Sequence, residues 1–262
     1  IITPEGCDVV QAVDKVFITR GFSKRPLLWD MTTGAGSITA LPPLSSVTVG
    51  HEFPNCSGLM FYANRLVAIG AHNAEQNSNI NTLRNYDTAS VSNFLDYTQW
   101  AALDAFTINN GSNDKIVGIA PWTLNEFLVF MRNSIFYISV GNGRYAISDT
   151  LASDAILRTM VSDLGCSAKR TIVQANGGVV FLSDNGVYFL QPSQVGSNES
   201  TRLMSVADPL SAPIDDVIQR INKNYSSRSV ATYWNNRYYL AVPLDSSVDN
   251  NAILVFSLLH FH

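Results

Sequence analysis

Charge is scarce in this sequence. Of its 262 residues only 15% are Asp, Glu, Lys or Arg, against about 25% in typical soluble domains. A surface so poor in charge suits a protein that lives against other proteins. Cations are the scarcer sign: 17 Lys and Arg stand against 21 Asp and Glu, a net charge of -4. That excludes a basic nucleic-acid footprint over the whole chain. Cysteine is scarce too. Cys7, Cys56 and Cys166 are odd in number and far apart, which excludes a disulfide framework and fits folding in a reducing compartment. No apolar run approaches the roughly 18 residues needed to span a bilayer, and the first residues lack the basic and apolar regions of a signal peptide. An initiating Met is absent and the last residues read as strand, so the expectation is a piece of a longer protein.

Catalytic signatures are missing as well. There is no G-x-S-x-G elbow for a nucleophile and no calcium loop of alternating acids. Gly34-Ala35-Gly36 and Gly141-Asn142-Gly143 open no helical pattern and read as turns rather than phosphate cradles. His260 and His262 share a strand side, and His51 and His72 have no ligand spacing, so no metal site is expected. Gly165-Cys166-Ser167-Ala168 has no neighbouring base, and Cys166 reads as a small buried thiol. Asp8, Asp14, Asp30, Asp87, Asp96, Asp184 and Glu126 are the carboxylates a glycosidase would need in a central channel. Most fall at hairpin turns, where Asp has a local structural job.

What is present is a repeat. A β-rich run, an Asn or Asp turn and a second β-rich run recur around positions 14, 64, 125, 176 and 235. Examples are Leu59-Met60-Phe61-Tyr62-Ala63-Asn64-Arg65-Leu66-Val67-Ala68-Ile69 and Val230-Ala231-Thr232-Tyr233-Trp234-Asn235-Asn236-Arg237-Tyr238-Tyr239-Leu240. The spacing, about 50 to 60 residues, is that of long-repeat propeller blades. Asn and Asp suit the turns because they tolerate φ > 0. Third strands are expected at 26–29, 81–86, 134–138, 186–190 and 252–256. Fourth strands are expected at 45–49, 105–108, 156–161 and 201–205.

The fold class expected is therefore all-β and β-propeller-like, with about five blades of three to four antiparallel strands. The blades lie near 7–50, 57–110, 115–162, 168–205 and 228–262, in a single domain spanning 1–262. One segment breaks the pattern. Apolar residues at 210, 214, 217, 218 and 221 have helical spacing, and Pro213, Asp215 and Asp216 suit a first turn. A short amphipathic helix near 211–222, packed on a sheet, is expected. Arg65, Arg84, Arg132, Arg170 and Arg237 read as solvated turn residues.

Several segments in order carry a resemblance. They are Asn64-Arg65-Leu66-Val67-Ala68-Ile69-Gly70, Leu83-Arg84-Asn85-Tyr86-Asp87 and Asn93-Phe94-Leu95-Asp96-Tyr97. Next come Ile116-Val117-Gly118-Ile119-Ala120-Pro121, the run from Phe127 to Ile138, and Leu164-Gly165-Cys166-Ser167-Ala168-Lys169-Arg170. Val180 to Tyr188 and Asn236 to Pro243 complete the set. The order resembles the propeller region of the tail nozzle (tail tubular) proteins of short-tailed bacteriophages, over roughly residues 57–262. The resemblance implies a non-enzymatic structural subunit of the virion tail, without cofactors. Its partners would be copies of itself in a ring, often sixfold, and other tail proteins such as the adaptor and tail fibres. Viral DNA would pass transiently through the conduit, and no membrane would be spanned. Two other functions fit a propeller. One is a binding module for glycan or protein ligands, anchored by exposed Trp100 or Trp122. The other is a glycoside hydrolase using channel carboxylates.

Overall fold

A computed structural model describes residues 7–21, 24–33, 38–40, 53, 55–69, 88–92, 105–108, 114–123, 126–139, 156–162, 164–192 and 209–259. Among these residues the chain forms five small antiparallel sheets, each of strands consecutive in sequence and in chain order. The first holds β1 (Val9–Ala12), β2 (Lys15–Ile18), β3 (Leu27–Asp30) and β4 (Ile38–Ala40). The second holds β5 (Gly58–Tyr62), β6 (Arg65–Ile69), β7 (Thr88–Val91) and β8 (Ala105–Thr107). The third holds β9 (Ile116–Thr123), β10 (Glu126–Met131), β11 (Ser134–Ser139) and β12 (Ile156–Ser162). The fourth has β13 (Val173–Ala175), β14 (Gly178–Ser183) and β15 (Gly186–Leu190); the fifth has β16 (Val230–Trp234), β17 (Arg237–Val242) and β18 (Ala252–Ser257). The fold is all-β and β-propeller-like, with one short helix among the described residues, α1 (Asp215–Ile218). Contacts divide the chain into two compact units, residues 1–116 with 139–157 and residues 117–138 with 158–262.

The hairpins follow from turn chemistry. Two-residue turns that match strand twist need φ > 0. Ala63-Asn64, Asn176-Gly177 and Asn235-Asn236 supply it, with φ of 48° and 57°, 45° and 73°, and 49° and 58°. The first hairpin departs from expectation. There the positive φ falls on Val13, at 56°, and not on Asp14. A β-branched residue in that region is strained. Asn125 lies outside the described residues. So do the strands expected at 81–86, 45–49 and 201–205; β6 pairs instead with β7, and β3 with β4.

In the first unit the inner faces of the first two sheets meet. Ala12, Phe17, Cys56, Leu59, Leu66 and Ala68 form a buried cluster, and Phe17 stacks on Phe53 at 5.4 Å. Arg65 corrects the expectation of a solvated turn. It is buried, and its guanidinium donates to the Ser92 carbonyl at 2.9 Å.

In the second unit the fourth sheet is buried on both faces. All six residues of β14 are buried, as expected of a strand covered on two sides. Val179, Phe181 and Leu190 pack with Leu128, Phe130 and Ile135 of the third sheet; the Phe130 and Phe181 rings lie 5.0 Å apart. Val180, Leu182 and Val187 pack with Tyr238, Leu240 and Phe256 of the fifth. Leu210, Ile214, Ile218 and Ile221 join this second cluster, so the helical segment packs as its spacing predicts. It is shorter than expected, a 3-10 turn (Ala212–Ile214) followed by the four residues of α1. No side chain caps it. The nearby hydroxyl of Ser211 instead accepts the Val187 N–H at 3.0 Å. An uncapped helix this short has little to extend it.

Candidate functional site

The described carboxylates do structural work. Asp8 accepts the Leu59 N–H at 3.0 Å, joining the first two sheets. Asp14 lies 3.3 Å from Lys15. Asp30 accepts from the Thr32 N–H and hydroxyl at 2.9 and 2.6 Å, which holds its carboxyl below the ordinary range. Asp184 forms a two-pronged pair with Arg132, both contacts at 3.1 Å; the two residues sit on hairpin turns of adjacent sheets. Glu126 opens β10, half-buried. Among the described residues no three His, Cys, Asp or Glu side chains are placed to hold a metal. Asp87, Asp96, Trp100, the four histidines and both glycine turns lie outside the described residues.

Cys166 is a buried thiol, pushed up to about 12 chiefly by burial, which leaves no thiolate nucleophile at neutral pH. Its segment is a strap between sheets. The Cys166 N–H donates to the Met131 carbonyl at 2.8 Å, and the Ser167 N–H to the Leu182 carbonyl at 2.9 Å. Gly165 is required by this approach: a Cβ there would stand 2.3 Å from backbone atoms of Met131 and Arg132. Thr171 then joins the strap to the fourth sheet. Its hydroxyl donates to the Ala168 carbonyl at 2.6 Å and accepts the Leu182 N–H at 3.1 Å. The Tyr238 hydroxyl, from the fifth sheet, donates to the Thr171 carbonyl at 2.7 Å.

Among the described residues of the second unit, two surfaces stand open to solvent. One is a cleft of about 310 Å³ lined by Pro121 and Trp122 of β9, Gln174 to Val179 of the β13–β14 hairpin, and Tyr233 of β16. The Gln174 amide nitrogen donates to the Pro121 carbonyl at 3.1 Å. The Asn176 amide nitrogen donates to the Leu258 carbonyl at 3.0 Å. That fixes the Asn176 amide oxygen, which receives the Tyr233 proton at 2.5 Å. Tyr233 has one proton to give. That proton lies between two acceptors, the Asn176 and Asn236 amide oxygens, the second at 2.8 Å. The network ties the fourth-sheet turn to the fifth sheet and sets one wall of the cleft.

The other surface is the outer face of the fifth sheet. Register puts Val230, Ala241 and Ile253 in one row, Thr232, Tyr239 and Val255 in the next, and Trp234, Arg237 and Ser257 in the third. Trp234 is 68% exposed, Ile253 69% and Val255 51%. In the first unit, the outer face of the first sheet likewise shows Val9, Trp29 and Ile38 to solvent.

No protein-family model matches the chain, and no curated protein matches it. Solved structures resemble it at low identity. Apo AztD from Citrobacter koseri is 13% identical with a TM-score of 0.36, covering 97% of this chain and 70% of that one. The β-propeller domain of Nup133 from Vanderwaltozyma polyspora is 10% identical with a TM-score of 0.43, covering 98% and 70%. PorZ of Porphyromonas gingivalis is 12% identical with a TM-score of 0.33, covering 95% and 32%. These likenesses assign the chain no activity, ligand or partner.

Of the residues singled out by sequence, the fold brings Trp122 to an open cleft. Gln174, Asn176 and Tyr233 beside it were not anticipated as site residues. Asn176 was legible as a turn; its partners Tyr233 and Leu258 lie 57 and 82 positions away, beyond any local signal.

Proposed function

We propose that this chain is a non-catalytic structural subunit of a short-tailed phage tail, part of a multimeric nozzle or head-to-tail component through which DNA passes. It acts by surface contact on a rigid scaffold of small sheets. The observation that carries this reading is the outer face of β16–β18, where Trp234, Ile253 and Val255 stand open to solvent. Singly scattered apolar residues need no explanation, whereas three large ones open on one face of a three-stranded sheet suit a contact surface. Its sequence support is the nozzle resemblance together with a charged fraction of 15%. The partners proposed are copies of the chain in a ring, the adaptor and the tail fibres. A net charge of -4 would limit sticking of DNA to a conduit wall. The use of Asp8, Asp30 and Asp184 in the scaffold favours this reading over a channel hydrolase.

Immunogold electron microscopy tests it, with antibody to this chain on particles from the source lysate. Gold clustered at the tail is expected. Gold absent from intact and disrupted particles alike overturns the proposal. A second reading, a propeller-like binding module, is favoured by the cleft that exposes Trp122 beside Tyr233.

A further inference from the structure

We infer that the cleft between β9 and the β13–β14 hairpin is a binding site for a neutral, hydroxyl-rich ligand, a carbohydrate of one or two sugar rings. The inference stands apart from the tail reading, since a glycan site serves a virion part and a free binding module alike. Size comes first: about 310 Å³ lies at the low end of small-molecule sites, roughly 300–1,000 Å³. Charge comes second. Among the described residues no Asp, Glu, Lys, Arg or His lines the cleft, so an acidic sugar or a phosphate would lose its hydration and find no counter-charge there.

Hydrogen-bonding polarity decides the class. The amide nitrogens of Gln174 and Asn176 are each held on a backbone carbonyl, and Tyr233 gives its proton to Asn176. The Gln174 amide oxygen has no protein partner among the described residues, and Gln174 is exposed. Each of those amide nitrogens keeps a second proton, so the wall offers donors beside the Gln174 acceptor. Sugar hydroxyls answer both, since each donates and accepts; a proline-rich peptide, with carbonyls and no N–H at proline, answers the donors alone. Half-buried Trp122 and Pro121 supply the apolar bed on which the C–H face of a pyranose lies. Gly177 leaves the approach open: a Cβ at that position would meet no atom within 4 Å. The ligand's rings fit between the Trp122 side and the hairpin, with hydroxyls directed to Gln174.

Titration of the whole chain, followed by Trp fluorescence and by saturation-transfer NMR, tests the inference. The probes are maltose, cellobiose, lactose, mannobiose and N,N′-diacetylchitobiose, with sialyllactose and a ten-residue polyproline peptide as contrasts. At least one neutral disaccharide is expected to bind at millimolar concentration or tighter, and both contrasts to be silent. Trp122→Ala should weaken binding more than tenfold and Gln174→Ala about fivefold; because Trp122 packs on the Leu128–Phe130 cluster and Gln174 bonds Pro121, circular dichroism confirms that each variant is folded at the assay temperature. Gln174→Glu, which keeps an acceptor, should bind better than Gln174→Ala. Silence of every neutral sugar at 20 mM overturns the inference. So does binding that survives Trp122→Ala, or binding of the peptide alone. Neither result touches the immunogold test of a tail location.

Discussion

Where the β13–β14 ladder runs out, Thr171 takes its place, and replacing its hydroxyl measures how much the inter-sheet strap contributes. The last ladder pair on that side is Val173 with Val180. Beyond it, the Leu182 N–H goes to the Thr171 hydroxyl and the Leu182 carbonyl accepts from Ser167. Thr171→Val preserves shape and removes the hydroxyl. The Ala168 carbonyl stays satisfied, because the Thr171 N–H at 3.0 Å and the Cys166 thiol at 3.2 Å still donate to it. The Leu182 N–H does not, and a buried donor left without a partner costs about 1–3 kcal/mol. Thr171→Ser keeps the hydroxyl and loses one buried methyl, worth about 1 kcal/mol. The expected loss for Thr171→Val is about 2 kcal/mol. At about 2–4 °C per kcal/mol for a chain of this size, its Tm falls by about 4–8 °C. Calorimetry gives the global value, and hydrogen exchange at Leu182 gives the local one, with protection lost in Thr171→Val and kept in Thr171→Ser. A Val variant within 0.5 kcal/mol of the parent, or one that keeps Leu182 protection, would refute the reasoning. Combined with Tyr238→Phe the two losses should not add, because both act on Thr171.

Three other outcomes are expected. Val13→Gly should stabilise the protein by about 1 kcal/mol, since Val13 holds φ at 56° and is 62% exposed, and the left-handed region costs a non-glycine residue about 1–2 kcal/mol; urea unfolding reads the gain, and a loss would show that the turn is not strained. Alkali should weaken the fold. The Cys166 thiol is raised from 9.0 to about 12 and the buried Tyr238 hydroxyl is raised from 10.0, so their contribution is full below pH 9 and is lost as pH climbs toward 12, by up to about 1.4 kcal/mol per pH unit per group. Cys166→Ala should flatten that slope between pH 9 and 11, and an unchanged slope would remove the thiol from the account. Replacing Trp234 and Ile253 with Ser should leave Tm within about 2 °C, as exposed positions do, and reduce self-association in sedimentation velocity; equal association in parent and variant would count against the fifth-sheet face as a contact surface.

Period-two patterning carried most of the fold. Val230 to Val242 alternates because Ala231, Tyr233, Tyr238, Leu240 and Val242 pack inward, and that alternation is readable without any partner. The turns were readable for the same local reason: Asn64, Asn176, Asn235 and Asn236 adopt positive φ. Val13 escaped because nothing in its own chemistry favours the left-handed region; the pairing of Ala12 with Lys15 imposes it. Arg65 escaped because a basic residue after a turn reads as solvated, whereas here it meets the Ser92 carbonyl 27 positions away. Helix length escaped because apolar spacing marks the packed face and not the end of a helix, and no side chain caps this one.

The candidate site shows the limit most clearly. Trp122 stood out as an exposed aromatic, but one aromatic does not define a ligand class. What shapes the cleft wall is a set of three hydrogen bonds, from Gln174 to Pro121, from Asn176 to Leu258 and from Tyr233 to Asn176. Each joins residues more than 50 positions apart, so none leaves a periodic trace. The same bonds hold the third, fourth and fifth sheets together. A hairpin Asn is therefore selected twice, once for its backbone and once for its amide. Glycine would satisfy the first demand alone. That double use explains why an Asn, rather than a second glycine, precedes Gly177 in this turn, which also walls the cleft.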